Sequence, residues 1–243
     1  MLLPLGDDNS DRVLKPVVNY TFILINIFIF VFLQRFGNNP DFTYAFSTVP
    51  GEIITGEDIV TQSRVVQDAA SGRLFRIPGL GITPIPVYLT MLTSMFMHGG
   101  LAHIGGNMLF LFIFGDNIED RIGHVRYIIF YLLCGVLASL AHVFFSLFLN
   151  SNLYTPSLGA SGAISGVLGA YLILFPRKRV RVLIFRILTQ VPALVAIGLW
   201  FVFQIVNGIG LLGGSGGGGV AYAAHIGGFI AGVICIKLFT LGV

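Results

Sequence analysis

Gly159-Ala160-Ser161-Gly162-Ala163-Ile164-Ser165-Gly166 opens an apolar run that ends at Phe175. Gly162, Gly166 and Gly169 recur at i, i+4 and i+7, which puts them on one face of a helix. Small residues on such a face let helix backbones approach closely in lipid. Gly228 and Gly232 repeat the device in the last apolar segment, beside His225. The two stripes predict that these segments touch. Ser161 then has two readings. It is a packing hydroxyl within a small-residue stripe, or it is a nucleophile that needs a base and backbone N–H groups close by.

The composition decides the solvent. Of 243 residues, 55% are hydrophobic and 10% charged, with a mean hydropathy of +0.88. Soluble domains carry roughly 25% charged residues, so the chain reads as an integral membrane protein. Cys134 and Cys235 both lie in apolar segments and read as small buried hydrophobes rather than a disulfide framework or thiolate metal site. No dinucleotide-binding, P-loop or nucleic-acid motif is present. The basic run 177–181 adjoins a span and reads as an anchor on anionic lipid.

The expected fold class is an all-α membrane protein, a six-transmembrane-helix bundle with a long outer loop after the first helix. Residues 1–16 form a short polar N-terminal segment and 17–243 the membrane domain. The spans are expected near 17–33, 101–118, 127–149, 158–175, 191–212 and 220–241. The first ends in Gln34-Arg35-Phe36 without a small-residue cleavage site and reads as a retained anchor. Residues 36–83 are of mixed polarity and punctuated by Pro and Gly. The apolar stretch 84–97 is short enough to be interfacial or re-entrant, so the outer loop covers about 36–100. Lys and Arg set the orientation. With the N-terminus in the cytoplasm, the inner side receives Arg12, Lys15, Arg121, Arg126, Arg177, Lys178, Arg179, Arg181, Arg186 and Lys237. The outer side receives Arg35, Arg64, Arg73 and Arg76. Both termini are then cytoplasmic.

Depth brings three polar clusters together. A helix rises about 1.5 Å per residue and the hydrocarbon core is about 30 Å thick. Counting from Pro176 places Ser161 about 22 Å from the inner edge; His225 is about 18 Å from Lys237, and Asn107 about 18 Å from Glu119. All three fall within about a turn of one level. Polar groups at such a depth are expensive and tend to be functional. A serine there needs a base, and His225 is the sole histidine of the last two spans. Acyl transfer also needs donors for an oxyanion. Asn107 offers an amide, His103 shares its face one turn earlier, and the N-terminal end of the fourth span adds unpaired N–H groups. No Asp or Glu lies at that level, so the arrangement is a dyad. His98 and His103 are five apart with no glutamate between them, which argues against zinc. The bland readings are structural histidines and packing amides, or polar residues that line a transport pathway.

Four motifs carry a family resemblance. They are His98-Gly-Gly-Leu-Ala-His103-Ile-Gly-Gly-Asn107; Gly115-x3-Glu119-Asp120-Arg121-x-Gly123 with Arg126; Gly159-Ala-Ser161-Gly162; and Ala224-His225-x2-Gly228. In this order they resemble the rhomboid intramembrane serine proteases, in their minimal six-span bacterial form, over nearly the whole chain. The resemblance implies Ser161 as nucleophile and His225 as general base. It implies His103, Asn107 and the Ser161 backbone N–H as the oxyanion site, with Gly159, Gly162 and His98 facing the substrate or supporting the site. Glu119 and Arg121 would tie the inner end of the second span. It further implies no cofactor and no metal, a multi-pass location in a bacterial inner membrane, and transmembrane proteins as substrates, cut near their outer end. A catalytically silent relative that escorts membrane clients is the competing reading within this resemblance. Two features depart from it. Ser165 stands where some bacterial members place a tyrosine against the catalytic histidine. The loop expected to cap the site, around Ser215, is almost entirely glycine.

Overall fold

The computed structural model describes residues 2–67, 72, 74–150, 153–184, 186–208 and 219–242. The elements run in chain order as strand β1 (Leu2–Asp7), helix α1 (Val17–Phe28), short helices α2 (Pro40–Ala45) and α3 (Pro50–Thr55), hairpin strands β2 (Arg64–Gln67) and β3 (Leu74–Ile77), and one-turn helix α4 (Thr90–Thr93). There follow α5 (Leu101–Ile122), α6 (His124–Phe148), α7 (Ser161–Leu174), strands β4 (Arg179–Ile184) and β5 (Ile187–Pro192), α8 (Ala193–Gly208) and α9 (Gly219–Phe239). The glycine loop around Ser215 lies outside the described residues.

The protein is a predominantly α-helical, multi-pass membrane protein. Leu101–Ile122, His124–Phe148 and Tyr222–Phe239 are long and apolar enough to cross a bilayer, and Val17–Leu33, Ser161–Leu174 and Ala193–Gly208 are shorter apolar helices. Their outward faces carry Leu24, Phe32, Phe112, Phe144, Phe148, Leu199, Phe203 and Ile234, all exposed. Such a surface is suited to hydrocarbon rather than water. Residues 29–33 extend α1 with wider turns, closed by the Gln34 N–H on the Ile29 carbonyl at 2.9 Å. Successive long helices alternate in direction. Gly123, at φ +81°, turns α5 directly into α6, a conformation glycine adopts at little cost.

The expectation of an all-α chain is corrected by five strands among the described residues. β1, β4 and β5 form an antiparallel sheet in the order β1-β4-β5 at the end of the bundle that holds Gly123. The basic run makes this strand for a plain reason. In Arg179-Val180-Arg181-Val182 the valines are buried and the arginines exposed, the period of two that half-buried strands require. β2 and β3 form a hairpin in the long loop after α1. That loop is also more ordered than its polarity suggests, since residues 87–96 wind through three helical turns.

The N-terminal segment is folded onto the sheet end. Asp116 accepts from Arg12 Nη1 at 2.5 Å and Asn9 Nδ2 at 3.0 Å, and Asp120 accepts from the Val13 and Leu14 N–H groups. Glu119, fully buried, accepts from Val18 N–H at 2.9 Å and Asn19 N–H at 2.7 Å and pairs with His124 Nδ1 at 2.5 Å. It thereby caps the start of α1 from another helix, where the first N–H groups lack partners of their own. Asp7 accepts from the Tyr171 hydroxyl at 2.6 Å and from Asn117 at 2.8 Å. Arg126 closes the far end of α9 through the Phe239 and Leu241 carbonyls. Arg121, expected to share in tying this end, is exposed.

α7 and α9 pack through bare backbone. A Cβ at Gly228 would lie 2.1 Å from the Gly162 carbonyl oxygen, one at Gly232 2.0 Å from that of Gly166, and one at Gly169 2.3 Å from that of Phe229. Gly162 and Gly166 also meet Ala138 and Cys134 of α6. α7 is therefore central to the bundle and buried along most of its length.

Candidate active site

Ser161 is the first residue of α7. The first N–H bonded within that helix is Ile164's, to the Ala160 carbonyl at 2.9 Å, so the N–H groups of Ser161, Gly162 and Ala163 lie in the unpaired first turn. The approach to Ser161 is held by the long loop. Thr48 and Ser157 exchange backbone hydrogen bonds at 3.0 and 2.8 Å, Gly51 N–H donates to the Leu153 carbonyl, and Gly159 N–H donates to the Ser94 carbonyl at 2.9 Å.

Interlocked glycines bring α9 against α7, and His225 projects from the second turn of α9. Its Nε2 is 2.8 Å from Ser161 Oγ. Its Nδ1 is 2.8 Å from Gln204 Oε1 on α8. The Trp200 ring lies 6.3 Å and the Tyr222 ring 6.2 Å from the imidazole, the second edge-on. The Ser165 hydroxyl donates back to the Ser161 carbonyl at 2.6 Å.

His103 and Asn107 face the site from α5. His103 Nδ1 accepts from Gly99 N–H at 3.2 Å, which leaves the ring proton on Nε2. Asn107 Nδ2 is buried and without a partner among the described residues. Both atoms face the backbone of Gly159, where a Cβ would lie 2.8 Å from His103 Nε2 and 3.7 Å from Asn107 Nδ2. Gly159 also has φ +126°. A side chain there would be strained by the backbone and would fill the space between those donors.

The other two expected site residues are Gly162 and His98. Gly162 packs against α6 and α9 and also lines a cavity beside Ser161. His98 is buried behind His103, ring edge to ring at 5.1 Å, and its backbone is clamped by Gln34, which accepts from the His98 N–H and donates to its carbonyl, both at 2.9 Å. Two cavities flank Ser161. One of about 50 Å³ is lined by Ser94, Met95, Gly135, Gly159, Ser161 and His225 among others. The other, about 270 Å³, is lined by His103, Asn107, Ser161, Trp200, Gln204 and His225. Among the described residues no group of three His, Cys, Asp or Glu could hold a metal ion.

Gln34 and Gln204 were not anticipated from the sequence. Gln204 had a signal, as a polar side chain following eleven apolar or small residues of α8. Gln34 had none, because its partner is sixty-four positions away.

The fold and this geometry define a polytopic helical membrane protein with a hydrogen-bonded serine–histidine pair between two helices. Residues 87–241 match the Rhomboid domain, and the chain belongs to the rhomboid family. It is 30% identical over 220 residues to "Rhomboid protease GluP" of Bacillus subtilis, covering 90% of this chain and 34% of that one. It is 32% identical over 151 residues to "Rhomboid protein 1, mitochondrial" of Saccharomyces cerevisiae, covering 60% of this chain and 40% of the relative. A third similarity, 32% over 126 residues, is to "Presenilin-associated rhomboid-like protein, mitochondrial" of Mus musculus, with 48% of this chain and 33% of the relative covered. The chain thus spans about a third to two fifths of the length of these relatives.

Proposed function

We propose that this protein is an intramembrane serine endopeptidase that cuts transmembrane segments by a Ser161–His225 dyad. The observation that carries the reading is the 2.8 Å separation of Ser161 Oγ from His225 Nε2, with His103 and Asn107 beside Gly159 and lining the same cavity. Family membership and the relative named as a rhomboid protease support it.

In this mechanism Ser161 Oγ attacks the scissile carbonyl while His225 Nε2 takes its proton. The oxyanion accepts from His103 Nε2–H, the Asn107 amide and the Ser161 N–H. The imidazolium then protonates the leaving amine, and water, deprotonated by the same ring, hydrolyses the acyl-enzyme. A cavity of about 50 Å³ beside Ser161 has room for a small side chain next to the cut bond. Six apolar helices form the bundle in this reading, with the sheet end in the cytoplasm and the serine toward the outer face. The excess of Lys and Arg at the sheet end supports that orientation. The broad match to the Bacillus relative supports a bacterial cell membrane as the host bilayer.

The test is cleavage of a transmembrane reporter in liposomes by wild type, Ser161→Ala and His225→Ala. Both variants are expected to lose activity by at least ~10³-fold, and Ser161→Ala to lose labelling by a fluorophosphonate probe. Undiminished cleavage by either variant would sink the dyad.

A further inference from the structure

We propose that Gln204 is a positioning residue for this reaction, selecting the tautomer of His225 that can act as base; the proposal rests on the Ser161–His225 reading. The imidazole bridges two helices, with Nε2 2.8 Å from Ser161 Oγ on α7 and Nδ1 2.8 Å from Gln204 Oε1 on α8. A neutral imidazole carries one N–H, and an amide oxygen only accepts. Gln204 Oε1 therefore holds the proton on Nδ1 and leaves the Nε2 lone pair facing the serine hydroxyl. That is the only tautomer able to take the serine proton. The opposite tautomer would aim an N–H at Ser161 Oγ and block the step.

Among the described residues no other group near the ring does this. α7, α8 and α9 contain no Asp or Glu. Ser165 commits its proton to the Ser161 carbonyl. Trp200 and Tyr222 flank the ring as surfaces, at centroid distances of 6.3 and 6.2 Å, and set its tilt without choosing its proton. The residue type follows from the depth. An ionised carboxylate in this place would be costly to bury, whereas an amide directs a proton without net charge. Gln204 is itself buried, and it sits one turn after Trp200 on the face of α8 that meets α9. α8 is then more than a lipid-facing wall. Turning it by one residue, about 100°, would remove the acceptor from Nδ1.

The test uses the full chain, purified and returned to liposomes with a transmembrane reporter, beside Ser161→Ala and His225→Ala. Gln204→Met keeps the length and removes the acceptor. It is expected to lower kcat by about 10- to 100-fold with KM within about 2-fold. Solid-state ¹⁵N spectra of labelled histidine, with His225→Ala used to assign the ring, are expected to show Nδ1–H and a bare Nε2 in wild type. The same spectra should show mixed tautomers in Gln204→Met. If Ser161→Ala or His225→Ala still cleaves, the dyad itself falls. If both are dead and Gln204→Met keeps wild-type kcat or the wild-type tautomer, the positioning role is overturned and the dyad stands. Should Gln204→Met fail to fold, the wild-type spectrum decides alone, and an Nε2–H ring overturns the proposal.

Discussion

The two ends of the bundle solve opposite problems with polar groups. At the sheet end, buried Glu119, Asp116 and Asn117 each meet several partners, and the chain from Asn9 to Asn19 is stitched to them. At the serine end, the buried Asn107 Nδ2 has no partner among the described residues and the first-turn N–H groups of α7 are unpaired within the helix. One end ties most of its polar groups into the fold, Asp7 Oδ1 being left over. The other keeps donors ready for a developing charge, a cost in stability that functional sites accept. The packing differs in the same sense. Hydrogen bonds hold α1 to α5 at the sheet end, whereas α7 and α9 meet through glycines that put nothing between their backbones.

That contrast can be broken most severely at the glycines. Gly232→Val places a Cβ where the Gly166 carbonyl oxygen is 2.0 Å away, so α9 must move off α7. Cleavage is expected to fall by at least ~10²-fold, since a shift of about 1 Å in a reacting pair can cost that much. The thermal midpoint should fall with it. A variant with normal rate and stability would mean that the stripe does not set the Ser161–His225 distance.

The sheet end should respond in stability alone. Glu119→Ala leaves the Val18 and Asn19 N–H groups buried without an acceptor, at about 1–3 kcal/mol. Thermal unfolding in detergent should show this loss, while kcat of the folded fraction stays within about 2-fold of wild type. A large drop in kcat at unchanged stability would erase the division between the two ends.

The smallest effect is a pH dependence at the sheet end. Burial pushes the Asp7 carboxyl up to about 6 from an ordinary 3.8, against the pull of the Tyr171 hydroxyl. The folded chain therefore holds this proton more tightly than the unfolded one. Its contribution to stability is full below about 3.8 and is lost as pH rises through about 6. Between pH 5 and 7 the thermal midpoint is expected to fall by about 2–4 °C, and Asp7→Asn should flatten that slope. A midpoint equally steep in the variant would assign the slope to another group.

Much of this was legible from local pattern. Apolar runs of spanning length, separated by charged turns, determine a helical membrane protein, because lipid satisfies no backbone group and each span must satisfy its own. The glycine spacing in 162–169 and 228–232 determined that α7 and α9 could approach. Rise per residue put Ser161, His225 and Asn107 at one level. The Arg-Val-Arg-Val alternation at 179–182 was equally legible as a strand, but basic charge beside a span drew the reading toward lipid.

What only the tertiary structure decided is who meets whom across long gaps in the chain. Depth arithmetic fixes height along a helix and says nothing of rotation about its axis, so it could level Ser161 with His225 but not aim one at the other. Rotation is set by packing. The glycine interlock turns His225 toward Ser161, and the place of α8 beside α9 turns Gln204 onto the far side of the same ring. Gln34 clamping His98 and Glu119 capping α1 are of the same kind. Each is a hydrogen bond between residues dozens of positions apart, whose partners are chosen when the helices pack.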